Sequence, residues 1–221
     1  MASSIECVLF DLDGTLADTA PDLAAALNST LEHFGQPTLP FETIRPHVSH
    51  GGIALIRLGF NIEPSDANFE TYRKFLLDYY LENICQHTRL FDGMDELLNH
   101  LEKQQIKWGI VTNKPSWLTD PLMLEMQLTQ RAVSIVSGDT CEKNKPHPMP
   151  ILFACEQAGV NPQNCLYIGD AERDIQAGKA AGCTTVTALF GYIDANDKPH
   201  EWRADLHINH PAELISYLLQ S

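Results

Sequence analysis

The stretch IECVLFDLDGT, residues 5–15, is a short apolar run that opens directly into two aspartates and a glycine. The run from Ile5 to Phe10 predicts a buried strand. Asp11 and Asp13 follow it two positions apart, and such residues of an extended chain point to the same side. Their carboxylates would repel each other unless a cation or a shared proton relieved them. The pattern favours a site for Mg²⁺, which prefers oxygen ligands, and an acidic turn without a ligand is the alternative.

Strands and helices alternate in the sequence from residue 91 onwards. Helices are predicted between strands, and the predicted strands are Lys107–Val111, Ala132–Val136, Cys165–Ile168, Thr184–Ala188 and Leu206–Ile208. Alternation with short connections indicates an α/β fold whose parallel sheet is covered by helices on both faces. Ligands of such sheets bind beyond the carboxyl ends of the strands.

Residues 36–88 carry no strand pattern and differ from the rest of the chain. Short helices are predicted at Phe41–Val48 and Gly51–Leu58, and a longer amphipathic helix at Asp66–Cys85. This stretch therefore indicates a separate helical piece inserted into the α/β pattern.

Further polar residues follow two of the predicted strands. Asp170 lies in the Gly-Asp pair that ends one strand, and Asp174 lies one helical turn beyond it on the same face. Thr112 and Asn113 end another strand, where a hydroxyl, an amide and free backbone N–H groups can hold phosphate oxygens. Alone, each group has an ordinary explanation as a helix cap, a first-turn acid or a turn.

Lys145 is the candidate cation of the site. It lies in a Lys-Pro-His-Pro segment that two prolines make rigid, and its ammonium can neutralise a phosphate as a point charge. A common surface lysine is the alternative. Each residue alone fits an ordinary structural role. The functional interpretation is favoured because all of these residues occur together, in this order and with this placement relative to the predicted strands.

Charge and composition limit the classes of partner. The net charge is −14, from 15 basic and 29 acidic residues, which disfavours nucleic acid and anionic lipid as partners. The sequence shows no signal peptide, no apolar run of membrane-spanning length and no metal-ligand spacing among its six cysteines. These features predict a cytoplasmic protein without a membrane or nucleic-acid partner, and a monomer is the default expectation.

Four segments together resemble the motifs of the haloacid dehalogenase superfamily, in the same order along the chain. They are DLDGTL at residues 11–16, TN at 112–113, KP at 145–146 and GDAERD at 169–174. The resemblance implies a Rossmann-like parallel core, made of residues 1–17 and 89–221, with a helical cap inserted at residues 18–88. It also implies that Mg²⁺ is the cofactor and a small phosphorylated molecule the substrate.

The resemblance assigns a role to each motif residue. It makes Asp11 the nucleophile that forms an aspartyl-phosphate, and Asp13 the general acid and base. The carboxylates of Asp11 and Asp170 and the backbone carbonyl of Asp13 would bind Mg²⁺, with Asp174 at or just outside that shell. Phosphate binding falls to three further residues, Thr112, Asn113 and Lys145.

Several reactions are known within this superfamily, and the residues separate some of them. A dehalogenase lacks the second aspartate, so Asp13 argues against that reaction. A phosphonatase needs a cap lysine, and Lys74 fits a solvated helix surface better. A sugar phosphomutase shares the core residues. A non-catalytic metabolite-binding relative would be expected to have lost Asp11, Asp13 or Asp170.

Within the superfamily the sequence most resembles phosphoglycolate phosphatase-type enzymes. The segments HTRLFDGM at 87–94, WGIVTNKP at 108–115 and FGYI at 190–193 are similar to a branch that acts on N-acetylmuramic acid 6-phosphate in peptidoglycan recycling. That substrate is therefore expected, and 2-phosphoglycolate is the alternative.

Specificity is expected to come from the predicted cap. Arg45, Ser49, His50 and Gly51 lie in or beside a polar, glycine-rich turn between two short helices, which could close over the substrate. Arg45 could bind a substrate carboxylate. Both candidate substrates carry a carboxylate, so this residue does not distinguish between them. A solvated interhelical loop is the alternative.

Overall fold

The computed structural model describes residues 5–219, and within them a parallel six-stranded sheet forms the core. Its strands are β1 (Cys7–Phe10), β4 (Lys107–Val111), β5 (Ile135–Val136), β6 (Cys165–Gly169), β7 (Thr184–Ala188) and β8 (Leu206–Ile208). Their order across the sheet is β5-β4-β1-β6-β7-β8. The predicted α/β fold class is thereby confirmed.

The apolar run Ile5–Phe10 contains β1, the central strand of this sheet. All four residues of β1 are buried, because both faces of the strand are covered. Val8 and Phe10 pack into the larger core cluster, and Cys7 and Leu9 into a smaller one on the opposite face. A near-continuous apolar strand is what a sheet covered on both sides requires.

Helices flank the sheet after residue 91. They are α5 (Met94–Lys103), α6 (Ser116–Glu125), α7 (Met149–Ala158), α8 (Glu172–Ala181) and α9 (Ala212–Leu218). Short 3₁₀ helices lie at Pro162–Asn164 and Pro199–Trp202. Only Asp170 and Ala171 separate β6 from α8, and this short connection fixes the position of the acidic residues in the first turn of the helix.

The helical insert contains α1 (Ala20–His33), α2 (Phe41–Ile44), α3 (Gly51–Phe60) and α4 (Phe69–Glu82). Helix α1 packs against α4, and the rings of Phe34 after α1, Phe60 at the end of α3 and Tyr72 of α4 contact one another. Buried Asp22 of α1 accepts hydrogen bonds from the backbone N–H groups of His87 and Thr88. This contact ties the end of the helical stretch to its beginning.

A two-stranded antiparallel sheet that the sequence did not indicate lies at the base of the insert. Its strands are β2 (Ala17–Asp18) and β3 (Arg89–Leu90), and Ala17 pairs with Leu90. Strands of two residues are too short to produce a periodic sequence signal. They lie beside the predicted boundaries of the cap at residues 18 and 88, and this division into domains stays a prediction.

Some predicted elements differ from the structure in length. The predicted helix Phe41–Val48 divides into α2 and a 3₁₀ helix at Arg45–His50. Pro46 accounts for the division, because proline has no N–H with which to continue an α-helical ladder. The predicted strand Ala132–Val136 is reduced to β5.

No helix in the described part of the chain combines the length and the apolar character needed to cross a bilayer. All six cysteines are free thiols.

Candidate active site

The carboxyl ends of three neighbouring strands bring the candidate residues together. Phe10 of β1 is in register with Ile110 of β4 and Ile168 of β6, so the residues that follow these strands meet at one edge of the sheet. Asp11 comes directly after β1, Thr112 after β4 and Asp170 after β6. The structure therefore places the acidic pair, the Thr-Asn pair and the second acidic motif around one point.

Asp11 is held in place by two donors and is almost fully buried. Its Oδ1 accepts a hydrogen bond of 2.8 Å from the backbone N–H of Leu12 and lies 2.9 Å from Lys145 Nζ. Its Oδ2 accepts no hydrogen bond from any residue of the described chain. The side chain lines the main cavity, so one carboxylate oxygen is fixed and the other remains available to a ligand.

Lys145 is completely buried between two carboxylates. Its Nζ lies 2.7 Å from Asp174 Oδ1 as well as 2.9 Å from Asp11, and it donates 2.8 Å to the carbonyl of Val111. Burial raises the pKa of the Asp174 carboxyl, and the Lys145 charge opposes this shift. The ammonium thus lies behind Asp11 rather than in the open cavity, so its direct contact with a phosphoryl group stays a prediction.

Asn113 positions the segment that carries Lys145. Its side-chain Nδ2 donates 3.0 Å to the Lys145 carbonyl, and its Oδ1 accepts 3.1 Å from the Lys145 N–H. Thr112 Oγ1 accepts 3.1 Å from the Lys114 N–H. Thr112 and Asn113 both line the cavity. One N–H of the Asn113 Nδ2 group has no partner among the described residues, so contact of Asn113 with phosphate stays a prediction.

Three buried carboxylates form a candidate metal site. Asp11, Asp170 and Asp174 each present one oxygen, and these oxygens all lie within 4.8 Å of one another. Burial, together with the charges of Asp11 and Asp174, raises the pKa of Asp170 to about 7. This set of hard oxygen donors, unfavourable without a cation, fits Mg²⁺. Both Asp174 oxygens already have partners, Lys145 and the Ala171 N–H, which fits a supporting position for this residue.

Asp170 is also tightly enclosed. Its Oδ2 accepts hydrogen bonds from the Tyr192 N–H at 2.8 Å and from Ser49 Oγ at 2.9 Å. A Cβ atom at Gly14 would lie 2.1 Å from the same oxygen, and Gly14 also adopts a positive φ of 84°. Only glycine fits there, so the sequence Asp-Gly-Thr allows the turn after β1 to approach Asp170 closely.

The candidate metal site leads to a prediction on thermal stability. At a Mg²⁺ concentration about 100 times its Kd, binding should stabilise the folded protein by about 2.7 kcal/mol. We expect the melting temperature of the wild type to rise with Mg²⁺, and this rise to disappear in Asp170→Asn. The matched control is Glu172→Gln, which removes the same charge from an exposed neighbour. An equal Mg²⁺-dependent shift in Asp170→Asn would contradict the assignment.

Asp13 contacts a lysine that sequence reasoning missed. Lys114 Nζ lies 3.0 Å from Asp13 Oδ1 and 3.1 Å from the Tyr80 hydroxyl of α4, and Thr19 Oγ1 donates 2.6 Å to the same Asp13 oxygen. Burial lowers the pKa of Lys114, but the Asp13 carboxylate and Tyr80 outweigh it and leave that pKa raised. Lys114 is thus a charged link between the core and the helical insert. Its place directly after Thr112-Asn113 was the available signal.

The predicted specificity turn lies over the strand ends. Ser49, His50 and Gly51 all line the cavity, and Ser49 contacts Asp170 as described above. Arg173 Nη2 donates 2.7 Å to the Ser49 carbonyl. Burial, with a further contribution from Arg173, lowers the pKa of His50. The turn is therefore fastened to the residues beside the metal site, and its role in specificity stays a prediction.

Arg45 does not lie where a substrate carboxylate was expected to meet it. Its guanidinium donates to the carbonyls of Gly191 at 3.2 Å and Phe190 at 3.3 Å, and lies 4.9 Å from the ring centroid of Tyr192. It is not among the residues that line the cavity. The reason is its place in the 3₁₀ helix, which directs this side chain towards the loop after β7.

The cavity has a volume of about 340 Å³ and lies between the sheet edge and the helical insert. Its polar end is formed by Asp11, Asp13, Thr112 and Asn113. Apolar side chains form much of the remaining wall, namely Leu23, Val48, Ile53, Leu77, Pro115 and Leu118. This volume lies within the usual range of ligand pockets, about 300–1,000 Å³.

Known proteins are similar to this chain in sequence and in fold. The haloacid dehalogenase-like hydrolase family model matches residues 8–188. An N-acetylmuramic acid 6-phosphate phosphatase of Pseudomonas putida is 38% identical over 95% of this chain and 94% of its own. A phosphoglycolate phosphatase of Xanthomonas campestris pv. campestris is 40% identical over 94% of this chain and 93% of its own.

Solved structures show the same architecture. A crystal structure of a predicted phosphoglycolate phosphatase from Haemophilus somnus 129pt has a TM-score of 0.86 and 27% identity, and the match covers 96% of this chain and 97% of that one. The resemblance to haloacid dehalogenase-like phosphatases that the four motifs indicated is thus confirmed. The chain belongs to the haloacid dehalogenase-like hydrolase family.

Proposed function

We propose that this chain is an Mg²⁺-dependent phosphate monoester hydrolase that works through an aspartyl-phosphate on Asp11. The observation that carries this proposal is the state of the Asp11 carboxylate. One oxygen is fixed by Lys145 and the Leu12 N–H, and the other has no donor among residues 5–219 and belongs to a side chain that lines the cavity. A carboxylate is already ionised at neutral pH, so it needs no separate base to act as a nucleophile.

The reaction divides into two displacements at phosphorus. In the first, Asp11 Oδ2 forms a bond to phosphorus, the ester P–O bond breaks, and Asp13 gives a proton to the leaving oxygen. In the second, Asp13 takes a proton from water, the water oxygen attacks phosphorus, and Asp11 is released together with inorganic phosphate. The sum is one phosphate ester and one water converted to one alcohol and one phosphate.

Asp13 must hold a proton for the first displacement. Its contacts with Lys114 and Thr19 stabilise the carboxylate, which is the form needed for the second displacement. These contacts must therefore loosen when substrate binds. Because Lys114 also contacts Tyr80 of α4, a movement of the helical insert would change the environment of Asp13 directly.

Charge compensation determines whether a phosphate dianion can enter. Four carboxylates meet three cationic side chains around the polar end of the cavity: Asp11, Asp13, Asp170 and Asp174 against Lys114, Lys145 and Arg173. Mg²⁺ bound by Asp11 and Asp170 would supply two further positive charges and polarise the phosphoryl oxygens. Lys145 holds Asp11 in position and lowers the repulsion between this carboxylate and the incoming dianion.

We propose N-acetylmuramic acid 6-phosphate as the substrate. The relatives of that name and the sugar-sized cavity with an extensive apolar wall support this choice. A second candidate is 2-phosphoglycolate, which the similarly close relatives of that name favour. The smaller molecule would leave much of the cavity to water.

The test measures phosphate release at neutral pH with Mg²⁺ and compares kcat/KM for the two substrates. We expect a preference of about tenfold or more for the sugar acid, because its ring can bury apolar surface against the cavity wall. Reactions with EDTA in place of Mg²⁺ are the control for metal dependence. A preference for 2-phosphoglycolate would overturn the substrate proposal. If neither compound were hydrolysed, the proposed phosphatase activity itself would be overturned.

A further inference from the structure

Arg73 of α4 lies on the wall of the cavity formed by the helical insert. It lines the cavity together with Gly52 and Leu77, on the side away from the sheet edge. A Cβ atom at Gly52 would lie 3.3 Å from Leu77 Cδ2 and 4.0 Å from Arg73 Cγ, so the start of α3 packs directly against this part of α4. Neither a motif nor the family resemblance assigned a role to this residue.

The guanidinium of Arg73 has unused hydrogen-bonding capacity. Its Nε is buried and has no hydrogen-bond partner within the part of the chain that the structure describes. Its Nη1 lies 3.2 Å from Glu70, whose side chain is 72% exposed, and such surface pairs contribute little. Its Nη2 donates to no residue among 5–219, so this end of the guanidinium remains available to a ligand in the cavity that Arg73 lines.

The other cations that line the cavity are already engaged. Lys114 is paired with buried Asp13, and Arg173 donates to the Ser49 carbonyl beside the metal site. Both therefore belong to the phosphate end. The acidic residues of the lining, Asp11 and Asp13, lie at that end as well. Arg73 is thus a positive group on the cap wall of the cavity with no acidic lining residue next to it.

We propose that Arg73 binds the carboxylate of the substrate while the phosphate lies at Asp11. This inference rests on the proposed function, because it requires a phosphate ester that also carries a carboxylate. A guanidinium presents its N–H groups in a planar fork that matches a carboxylate. Arg73 thereby takes the role that the sequence suggested for Arg45, whose guanidinium is bound to backbone carbonyls elsewhere.

The test compares each carboxylated substrate with a counterpart that lacks the carboxylate. N-acetylglucosamine 6-phosphate is the counterpart of N-acetylmuramic acid 6-phosphate, and ethyl phosphate is that of 2-phosphoglycolate. For the carboxylated substrate that the wild type prefers, we expect Arg73→Gln to lower kcat/KM by about tenfold or more, mainly through KM. The value for the counterpart should change little, and Arg73→Lys should restore part of the loss.

Two further variants distinguish a specific role of Arg73 from a general effect of removing an arginine and from a role of Arg45. Arg57→Gln removes an exposed arginine of α3 and is the matched control, expected to behave as the wild type. If Arg45→Gln, and not Arg73→Gln, removed the preference for the carboxylate, the proposal would be wrong. An equal loss for both substrates in Arg73→Gln would also overturn it, since a merely structural role would act on both. Failure of the wild type to hydrolyse any of the four compounds would instead contradict the proposed function.

Discussion

Asp11→Asn is expected to lower kcat by roughly a thousandfold or more while the protein stays folded. The amide has nearly the shape of the carboxylate but is a very poor nucleophile, so the aspartyl-phosphate cannot form. Loss of a nucleophile that acts together with its neighbours removes most of the catalysed rate in comparable enzymes. Hydrolysis of the preferred phosphate ester under saturating conditions is the measurement.

Stability provides the control for this variant. Removing one charge from a cluster of buried carboxylates relieves repulsion, so the melting temperature of Asp11→Asn should not fall by more than a few degrees. Asp78→Asn, at an exposed position of α4, is the matched substitution and should keep full activity. Substantial turnover by Asp11→Asn would rule out covalent catalysis by this residue.

Lys145→Met is expected to remove activity and to destabilise the protein as well. The ammonium is 0% exposed between Asp11 and Asp174, and its removal leaves their carboxylates buried without a counter-charge. Breaking a buried ion pair from one side costs about 3–5 kcal/mol. For a chain of this size, the melting temperature should fall by roughly 6–20 °C.

Lys74→Met is the matched control for this variant, because Lys74 is an exposed lysine paired with Asp78 on α4. It should change the melting temperature by no more than a few degrees. Mg²⁺ should recover part of the stability of Lys145→Met, since a bound cation again neutralises the acidic cluster. A Lys145→Met protein as stable and as active as the wild type would contradict the role of Lys145 in the cluster.

The positions of the motif residues could be predicted because they depend on the backbone alone. Asp11, Thr112 and Asp170 each follow a strand, and parallel strands of one sheet have their carboxyl ends at one edge. Strand type and order along the chain were therefore enough to place these residues together. The same reasoning predicts that the helical stretch is an insert, because that prediction depends only on the missing strand pattern.

The cap wall of the cavity could not be predicted in the same way, because side chains of the insert depend on how its helices pack. The apolar stripe of α4 includes Phe69, Tyr72 and Leu76 and indicated one buried face. Arg73, Leu77 and Tyr80 lie on a neighbouring face that borders the cavity and Lys114. Their spacing of four and three residues also fits one helix face, but a mixed polar and apolar stripe does not distinguish a cavity wall from a solvated surface.

The central place of β1 also governs the order in which the molecule can be assembled. Cys7 is in register with Lys107 on one side and with Cys165 on the other, so the first strand of the chain finds its partners only after most of the sequence exists. During synthesis the contacts of α1 with α4 are available much earlier than either of these pairings. The helices of the insert can therefore pack together first. The apolar β1 segment remains unpaired until β4 and β6 have left the ribosome, and during that time it is prone to aggregation.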